Sequence, residues 1–245
     1  MFPSKSELIS RVRKGEVSID GKPIVNPEFI FDPSRKEVFW GGRQVFAVKK
    51  KIYILVNKPS GYLSSRLTEN DRKAGKKGVF SLFEKDKLLD GAARKSLFCV
   101  GRLDKDTSGL LMVTNDGKLG ALLTNPASGI EKTYHAMLER PISDADVKAL
   151  EGGVVIGLEE NGVVTSYKTR GCRVVKVGLG RKVVVLALSE GRKREVRRMF
   201  GALGNEVVSL KRIGIGLLLL DNLGLAQGSY LFATQEMVNL VKAKL

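Results

Sequence analysis

Acidic, basic and hydroxyl side chains crowd residues 102–108, whose sequence is Arg-Leu-Asp-Lys-Asp-Thr-Ser, between two apolar stretches. Loops that hold charged groups beside buried strands are common places for catalytic residues. A nearby guanidinium would keep the carboxylate of Asp104 ionised, and an ionised carboxylate can act as a nucleophile or a base. An ordinary turn stabilised by ion pairs accounts for the same residues, and it is the simpler interpretation of this pattern alone.

A second segment, Glu131-Lys-Thr-Tyr-His-Ala-Met-Leu138, has the composition of a strand. Side chains alternate along a strand, so Lys132 and Tyr134 share one face and His135 lies on the other. A tyrosine beside a cleft can stack on a nucleobase. His135 has the chemistry of a general base, but a lone histidine on a strand is more often structural.

Two further segments follow towards the C-terminus. Residues 190–200 place five basic groups between Arg192 and Arg198. Arginines in this arrangement can neutralise phosphates or pair with a buried carboxylate, although a solvated basic helix face explains them as well. The segment Leu210-Lys-Arg-Ile-Gly-Ile-Gly216 offers apolar walls for a base, with ordinary core as the alternative.

The overall charge points to a polyanionic partner. The 245 residues include 42 Lys and Arg against 26 Asp and Glu, so the net charge is +16. The excess is spread over both parts of the chain, before and after residue 51. This balance favours nucleic acid, or less often an anionic membrane surface, as the partner. A generally basic surface with no polyanionic partner is the alternative.

Composition also excludes several classes of protein. Two cysteines, Cys99 and Cys172, and the single His135 do not provide a disulfide framework or a zinc site. The nucleophile elbow, the P-loop and the dinucleotide fingerprint are absent from the sequence. No apolar run approaches the roughly 20 residues that cross a bilayer, and no secretory signal is recognisable. An enzyme of this composition would work with carboxylate, lysine, tyrosine and arginine groups.

The elements that must position these groups fall into two parts. In residues 1–50, a helix capped by Ser4 precedes a hairpin with an Asp20-Gly21 turn, which is typical of a small RNA-binding unit. The alternative is a decorated edge of one larger domain. In residues 51–245, runs of strands separate the helices. This order predicts an α+β fold with a mixed, largely antiparallel sheet, flanking helices and a central cleft.

Hydrophobic periodicity and turn residues place the individual elements of the second part. The predicted strands are residues 53–57, 97–100, 110–114, 132–138, 154–156, 163–169, 173–179, 182–189 and 207–213. The predicted helices are residues 117–123, 144–150, 195–203 and 234–244. Residues 64–78 are polar and basic, and the sequence predicts a mobile loop or a solvated connection there.

The four segments together resemble the pseudouridine synthases, in the branch that modifies single uridines of bacterial ribosomal RNA and includes the small-subunit synthase A. Gly101-Arg-Leu-Asp104, with Thr107-Ser-Gly-Leu-Leu and Thr114-Asn-Asp-Gly117, resembles the catalytic motif of that family. The remaining matches are Asn57-Lys-Pro-x-Gly61, Lys132-x-Tyr134, Gly191-Arg-Lys-Arg-x-Val-Arg-Arg-Met199 and Leu210-x-Arg-x-x-Ile-Gly216. The resemblance covers about residues 52–235, with the motifs in the family order.

The first part of the chain resembles the S4-type RNA-binding domain that precedes the catalytic domain in this branch. Residues 6–15 and 17–21 are similar to its second helix and hairpin, and a counterpart of its first helix is not recognisable. The sequence therefore predicts a reduced S4-like domain. A second departure is Glu195, where the branch more often has glutamine; a carboxylate there would lower the local positive charge and alter substrate contact.

The resemblance implies a role for each matching residue. Asp104 is the catalytic carboxylate and Arg197 the cation that pairs with it. Tyr134 stacks on the target base and can help to remove its C5 proton, while Leu210 packs on the other side. Substrate binding is implied for Leu210, Arg102, Lys132, Arg194 and Arg192. The reaction needs neither a metal nor a cofactor, because no atom is lost and no net redox change occurs.

The implied function is isomerisation of a uridine to pseudouridine in ribosomal RNA. The partner would be ribosomal RNA or a ribosome-assembly particle, and the protein would be a cytoplasmic monomer with no membrane contact. Asp104 would attack C1′ or C6 or take a sugar proton, and the sequence leaves these routes open. Two alternatives remain: a non-catalytic RNA-binding assembly protein on the same fold, and a synthase that acts on transfer RNA.

Overall fold

The computed structural model describes residues 4–31, 36–45, 51–160 and 162–244. By its internal contacts the chain forms two units. The first contains residues 1–51 together with 91–95, and the second contains residues 52–90 and 96–245. Residues 46–50, where the predicted boundary falls, lie outside the described residues.

The described residues of the first unit form a helix, a four-stranded antiparallel sheet and most of a further helix at residues 91–95. Its elements are α1 (Lys5–Arg13), β1 (Val17–Ile19), β2 (Lys22–Ile24), β3 (Val38–Trp40) and β4 (Arg43–Val45), with strand order β2-β1-β3-β4. The hydroxyl of Ser4 accepts a hydrogen bond from the Glu7 amide at 3.2 Å and caps α1. Asp20 and Gly21 both have positive φ, as a tight two-residue hairpin requires. The predicted helix and hairpin are confirmed.

The second unit is built on one large sheet with helices around it. Its strands are β5 (Tyr53–Lys58), β6 (Tyr62–Leu63), β7 (Lys77–Gly78), β8 (Phe98–Cys99), β9 (Thr107–Thr114), β10 (Lys132–Leu138), β11 (Val155–Glu160), β12 (Val163–Lys168), β13 (Arg173–Gly178), β14 (Val183–Leu188), β15 (Val207–Ile215), β16 (Leu218–Leu219) and β17 (Tyr230–Phe232). The helices after α1 are α2 (Glu69–Lys73), α3 (Gly91–Ser96, of which residues 91–95 belong to the first unit), α4 (Gly117–Thr124), α5 (Asp144–Gly152), α6 (Glu195–Ala202) and α7 (Gln235–Lys242).

The strand order of the large sheet is β13-β14-β10-β15-β9-β5-β17. Strands β15 and β9 pair in parallel, and the other described neighbours along this path pair antiparallel. The predicted α+β class with a mixed, largely antiparallel sheet is confirmed. The parallel contact matters for the site because it sets the start of β9, directly after the charged loop, against the middle of β15.

A glycine makes that parallel contact possible. Gly109 has φ of +105°, and a Cβ there would lie 2.2 Å from the carbonyl oxygen of Arg212. Any other residue would push β9 away from β15. The sequence predicts this strand to begin at residue 110, whereas β9 begins three residues earlier, at Thr107.

Hydrophobic residues of the large sheet and its helices form two clusters. One packs α6 against β10 and β14 through Val196, Met199 and Phe200, which are the predicted inward face of that helix. The other packs α4 and α7 against β9. Both clusters are anchored by strands that carry predicted site residues, so the cores fix the backbone on each side of the cleft.

Residues 64–78 differ from the predicted loop. They contain α2 and β7, and β7 pairs in parallel with β6. Thr68 and Asp71 form a capping box at the start of α2. The capping box stabilises a helix in a segment whose polar composition favours a loop. No helix in the described part of the chain is long and apolar enough to cross a membrane.

Candidate active site

A cavity of about 320 Å³ lies in the second unit beside the neighbouring strands β14, β10, β15 and β9. Its size is in the range of sites that hold small organic groups. Most of the residues predicted for the site line it: Arg102, Asp104, Lys132, Tyr134, Arg192, Arg194 and Leu210. These residues come from four separate stretches of sequence, and the sheet order brings them together.

The loop that carries Asp104 is held at the residues on either side. The Ser64 hydroxyl donates to the Leu103 carbonyl at 2.8 Å and accepts from the Leu103 amide at 3.1 Å. On the other side, the Gly61 amide donates to the Lys105 carbonyl at 2.8 Å. The carboxylate of Asp104 is therefore presented, half-buried, from a backbone that cannot shift without losing these bonds.

Lys58 lies behind this loop and is fully buried. Its ammonium donates to the carbonyls of Tyr62 at 2.7 Å, Pro59 at 2.9 Å and Lys105 at 3.3 Å. Burial lowers the pKa of Lys58 to about 8, although the carboxylates of Asp106 and Asp104 raise it in part. The sequence includes Lys58 in a matching motif but gives it no role; the structure makes it the buried cation behind Asp104.

Two more cations are buried in the cavity wall. Lys132 is mostly buried and lines the cavity, and its ammonium lies 3.4 Å from the Ser189 carbonyl. Its pKa falls to about 8, chiefly through burial and then through Arg212, while Glu195 opposes the change. Arg212 is 4% exposed, and its Nε donates to the Leu110 carbonyl at 2.7 Å. Among the described residues, its buried Nη2 has no hydrogen-bond partner.

Arg212 is a residue that the sequence reasoning missed as part of the site. It lines the cavity and stands opposite Tyr134 in the pairing of β10 with β15. The signal was present, since the matching motif that begins at Leu210 contains it. Nothing in the motif alone shows that this guanidinium is buried, because burial depends on the approach of β9.

Arg197 is placed differently from the expectation. Its guanidinium donates to the Val207 carbonyl at 2.6 Å and to the Asp106 carbonyl at 3.4 Å. Within the described ranges, Asp104 has no ion pair within 4 Å, and Arg197 is not among the residues that line the cavity. Arg197 therefore holds the end of the Asp104 loop through a backbone oxygen, and the direct pairing implied by the resemblance is not present.

Tyr134 and Leu210 are the aromatic and the apolar side chain that the sequence predicts for the site. Both line the cavity; Tyr134 is half-buried and Leu210 is buried. They stand on neighbouring strands, with Tyr134 opposite Arg212 and Leu210 opposite Ala136. His135 points to the other face of β10 and is not among the cavity residues in the part of the chain that is described. The arrangement offers an aromatic ring and an apolar side chain around a ligand.

The turn before α6 forms the opposite rim, and two carboxyl groups hold it. Glu195 accepts a hydrogen bond from the Arg192 amide at 2.8 Å. Glu190 accepts from the Tyr167 hydroxyl at 2.7 Å and from the Arg170 amide at 3.0 Å. The Arg192 guanidinium stacks 3.8 Å above the Tyr167 ring. The turn thus carries exposed arginines on a backbone tied down by buried acids.

The geometry suits an anionic ligand with a flat ring. A half-buried carboxylate faces a space bordered by the buried amine of Lys132, the guanidinium of Arg212 and a tyrosine, with exposed arginines at the rim. Across the described residues, no group of three or more His, Cys, Asp and Glu side chains is arranged to hold a metal ion.

Comparisons with known proteins agree with this geometry. The family model described as RNA pseudouridylate synthase matches residues 52–202. An uncharacterized RNA pseudouridine synthase of Bacillus subtilis, YtzG, is 38% identical over 98% of this chain and 93% of its own. The ribosomal small subunit pseudouridine synthase A of Escherichia coli K12 is 32% identical over 92% of this chain and 88% of its own.

A solved structure supports the same assignment at the level of the fold. A crystal structure of a pseudouridylate synthase superposes with a TM-score of 0.66 and 28% identity, covering 97% of this chain and 94% of that one. The sequence match and the structural match both extend over nearly the whole chain. The chain therefore belongs to the RNA pseudouridylate synthase family, and it is an enzyme that isomerises uridine in RNA to pseudouridine.

Proposed function

We propose that this enzyme modifies a uridine of ribosomal RNA and that Asp104 is its catalytic carboxylate. The observation that carries the proposal is the presence of Asp104, Tyr134 and Leu210 in one cavity with buried cations. The ribosomal substrate is supported by the names of relatives that are 30% and 32% identical, in Vibrio vulnificus and Escherichia coli, both of them small-subunit synthases A.

The reaction balances without an external reagent. The bond from ribose C1′ to uracil N1 breaks, the base turns, and a new bond forms from C1′ to C5. The C5 proton leaves and N1 gains a proton, so no electron is transferred to or from another molecule. The carboxylate of Asp104 would attack C1′ or C6 of the base, or take a proton from the sugar.

Each of these routes needs an ionised Asp104 in a site from which water is partly excluded. Burial alone would favour the protonated acid, so a nearby positive charge is required. Lys58 is the buried cation behind the loop, and Arg212 supplies a second one in the cavity wall. Because Arg197 binds the Asp106 carbonyl, we assign to it the fixing of the loop.

The detached base has to be held while it turns. Tyr134 and Leu210 would contact its two faces, and stacking of this kind contributes about 1–3 kcal/mol per base. The free Nη2 of Arg212 can donate to a uracil carbonyl, since its wall position leaves it without a protein partner among the described residues. Tyr134 is the candidate for helping to remove the C5 proton.

RNA must present the target base outside its stack, which costs a few kcal/mol. Exposed cations at the rim, including Arg102, Arg192 and Arg194, would contact the phosphates on each side. Their contribution depends on counterion release, so the affinity should fall steeply with salt. A single-stranded or loosely paired segment is the substrate that this rim and cavity suit.

The proposal also assigns residues 1–50 to a reduced S4-like RNA-binding domain. Its support is the basic helix α1 next to a small sheet. The protein would act as a monomer in the cytoplasm, where ribosomal RNA is assembled into particles. These assignments rest on the resemblance and on the proposed substrate.

The test is tritium release from ribosomal RNA labelled at uridine C5, with the RNA taken from cells that lack this gene. We expect release with the wild type, none with Asp104→Asn, and an RNA affinity of that variant within a few-fold of wild type. Asp106→Asn is the matched control, because Asp106 is an exposed carboxylate two residues away, and it should retain release.

The other outcomes are equally informative. Release by Asp104→Asn at the wild-type rate would remove Asp104 from the mechanism. Release from transfer RNA but not from ribosomal RNA, free or in assembly particles, would overturn the proposed substrate. Binding to ribosomal RNA without release from any RNA would favour the non-catalytic assembly protein.

A further inference from the structure

Two carboxyl groups lie side by side in the rim of the cavity, outside the catalytic loop. Glu190 follows β14 and Glu195 begins α6, and both line the cavity. Glu190 is 6% exposed and Glu195 is 3% exposed. Two neighbouring carboxylates that are both ionised at this depth would be very unfavourable, because each would lose its hydration and repel the other.

Glu190 has the contacts of an ionised carboxylate. Its oxygens accept from the Tyr167 hydroxyl and the Arg170 amide, and the Arg170 guanidinium lies 3.5 Å away. Burial raises its pKa, but these hydrogen bonds outweigh burial and leave the pKa below the usual range. Glu190 is therefore the anion of the pair.

Glu195 has the contacts of a protonated acid. Its Oε2 accepts a hydrogen bond from the Arg192 amide. Its Oε1 is buried, and no hydrogen-bond donor among the described residues contacts it. The side chain of Glu190 is within hydrogen-bonding reach. A proton on Glu195 would give that orphaned oxygen a partner, since it can be donated to the Glu190 carboxylate.

We propose that Glu195 and Glu190 share one proton, and that this proton holds the turn of residues 190–195 in the position that presents its arginines to RNA. Glu195 is thus a positioning residue that acts through Arg192. The protonated form of Glu195 carries no charge, so in the pH range where it is protonated a glutamate here leaves the positive charge of the rim as high as the more usual glutamine would.

The surroundings of the pair support a neutral Glu195. The pKa of Glu195 is raised to about 7, chiefly by burial and also by Glu190, while the Arg192 amide and guanidinium oppose the change. The groups that face the pair from other elements are Tyr167, Arg170, Lys132 and Cys172. Arg170 and Arg192 are exposed, so solvent screens their attraction for an ionised Glu195. Burial raises the pKa of the Cys172 thiol to about 12, so this thiol is neutral.

Loss of the proton has a specific consequence. An ionised Glu195 would repel Glu190 across a short buried distance, and the turn between them is the segment that can yield. Arg192 and Arg194 would then leave the rim, while the Asp104 loop keeps its own contacts. RNA affinity should therefore fall on the alkaline side of about pH 7, without the same change in the chemical step.

The first experiment titrates the glutamate side-chain carboxyl carbons of the ¹³C-labelled wild-type protein by NMR. Glu195, assigned through its side-chain carbons, should titrate near pH 7. A Glu195 carboxyl that titrates below about pH 5.5 would overturn the proposal. This measurement needs no RNA, so it remains decisive if the proposed ribosomal substrate is wrong.

The second experiment measures the Kd for a single-stranded, uridine-containing RNA oligonucleotide between pH 6 and pH 8.5. The wild type should lose about tenfold in affinity, comparable to one charge-assisted contact. Glu195→Gln should show only the smaller decline near pH 8 that the loss of the Lys132 charge causes, because the amide replaces the protonated acid. Glu206→Gln, which removes an exposed carboxylate, should keep the wild-type pH dependence. Identical profiles for wild type and Glu195→Gln would refute the positioning role.

Discussion

The two rims of the cavity are held by different kinds of contact. The Asp104 loop is fixed by a serine hydroxyl, backbone amides and a fully buried lysine. The 190–195 turn is fixed by a buried pair of acids and presents exposed arginines. In the proposed function, the first rim keeps the catalytic carboxylate in place, whereas the second rim holds the arginines that contact RNA.

This difference indicates a division of labour. A displacement of about 1 Å in a reacting group can cost about 10²-fold in rate, so the Asp104 rim needs contacts that resist movement. Phosphate contacts tolerate more movement because their energy is largely electrostatic and long-ranged. Substitutions on the first rim should therefore change the rate, and those on the second should change the affinity.

Tyr134→Phe is expected to have the largest effect among the variants that retain Asp104. The phenyl ring can still stack on the base, but the hydroxyl that would help to remove the C5 proton is lost. Such proton transfer contributes about 10²–10⁴-fold, so the single-turnover rate at saturating RNA should fall by about 100-fold. Tyr53→Phe is the control, because its hydroxyl binds Asp116 away from the cavity. An unchanged rate would confine Tyr134 to stacking.

Lys58→Met should reduce the single-turnover rate several tens of times. The variant removes the buried charge behind Asp104 and the ammonium that donates to the carbonyls of Pro59, Tyr62 and Lys105, of which the Lys105 carbonyl keeps the Gly61 amide as a donor. The loop should loosen, while the arginine rim and the RNA affinity remain. Single-turnover rates and Kd values, compared with those of the exposed-lysine variant Lys118→Met, separate the two effects. A larger change in Kd than in rate would contradict the division.

The sequence predicts much of this site because its motifs coincide with regular elements. Strand β10 has the predicted bounds, and helix α6 buries the predicted residues. In long periodic segments of this kind, the spacing of the apolar residues shows which side chains are buried. The positions of Tyr134 and Leu210 follow directly, since neighbouring strands bring their side chains into one wall.

The missed features depend on contacts between distant segments. The burial of Arg212 requires β9 to approach β15 at Gly109, and Arg197 binds a carbonyl that is 91 residues away in sequence. The short elements β6, α2 and β7 are stabilised by a capping box and by pairing, against a composition typical of a loop. Local sequence patterns do not encode such tertiary contacts.

Arg192→Ala tests the second rim and should affect binding by about tenfold. The guanidinium stacks on Tyr167 and lines the cavity, so its loss removes one phosphate contact and leaves the Asp104 loop unchanged. The slope of log affinity against log salt should become shallower by about one unit. Arg140→Ala, which removes an exposed charge that does not line the cavity in the described structure, is the control. A slower single-turnover step with unchanged affinity would show that Arg192 serves the chemistry instead.

Glu195→Gln should have the smallest effect, and it is visible in stability without RNA. The pKa of Glu195 is raised from 4.5 to about 7 in the folded protein. The folded state therefore holds a proton that the unfolded state releases, and this contribution to stability is present below about pH 4.5 and lost as the pH rises to about 7. Glutamine keeps the neutral hydrogen bonds at every pH, so the Tm difference between variant and wild type should grow by a few degrees from pH 5 to pH 8. A Tm difference that stays constant over this range would show that Glu195 is already ionised at pH 5. The contacts that hold the 190–195 turn would then be as insensitive to pH as those that hold the Asp104 loop.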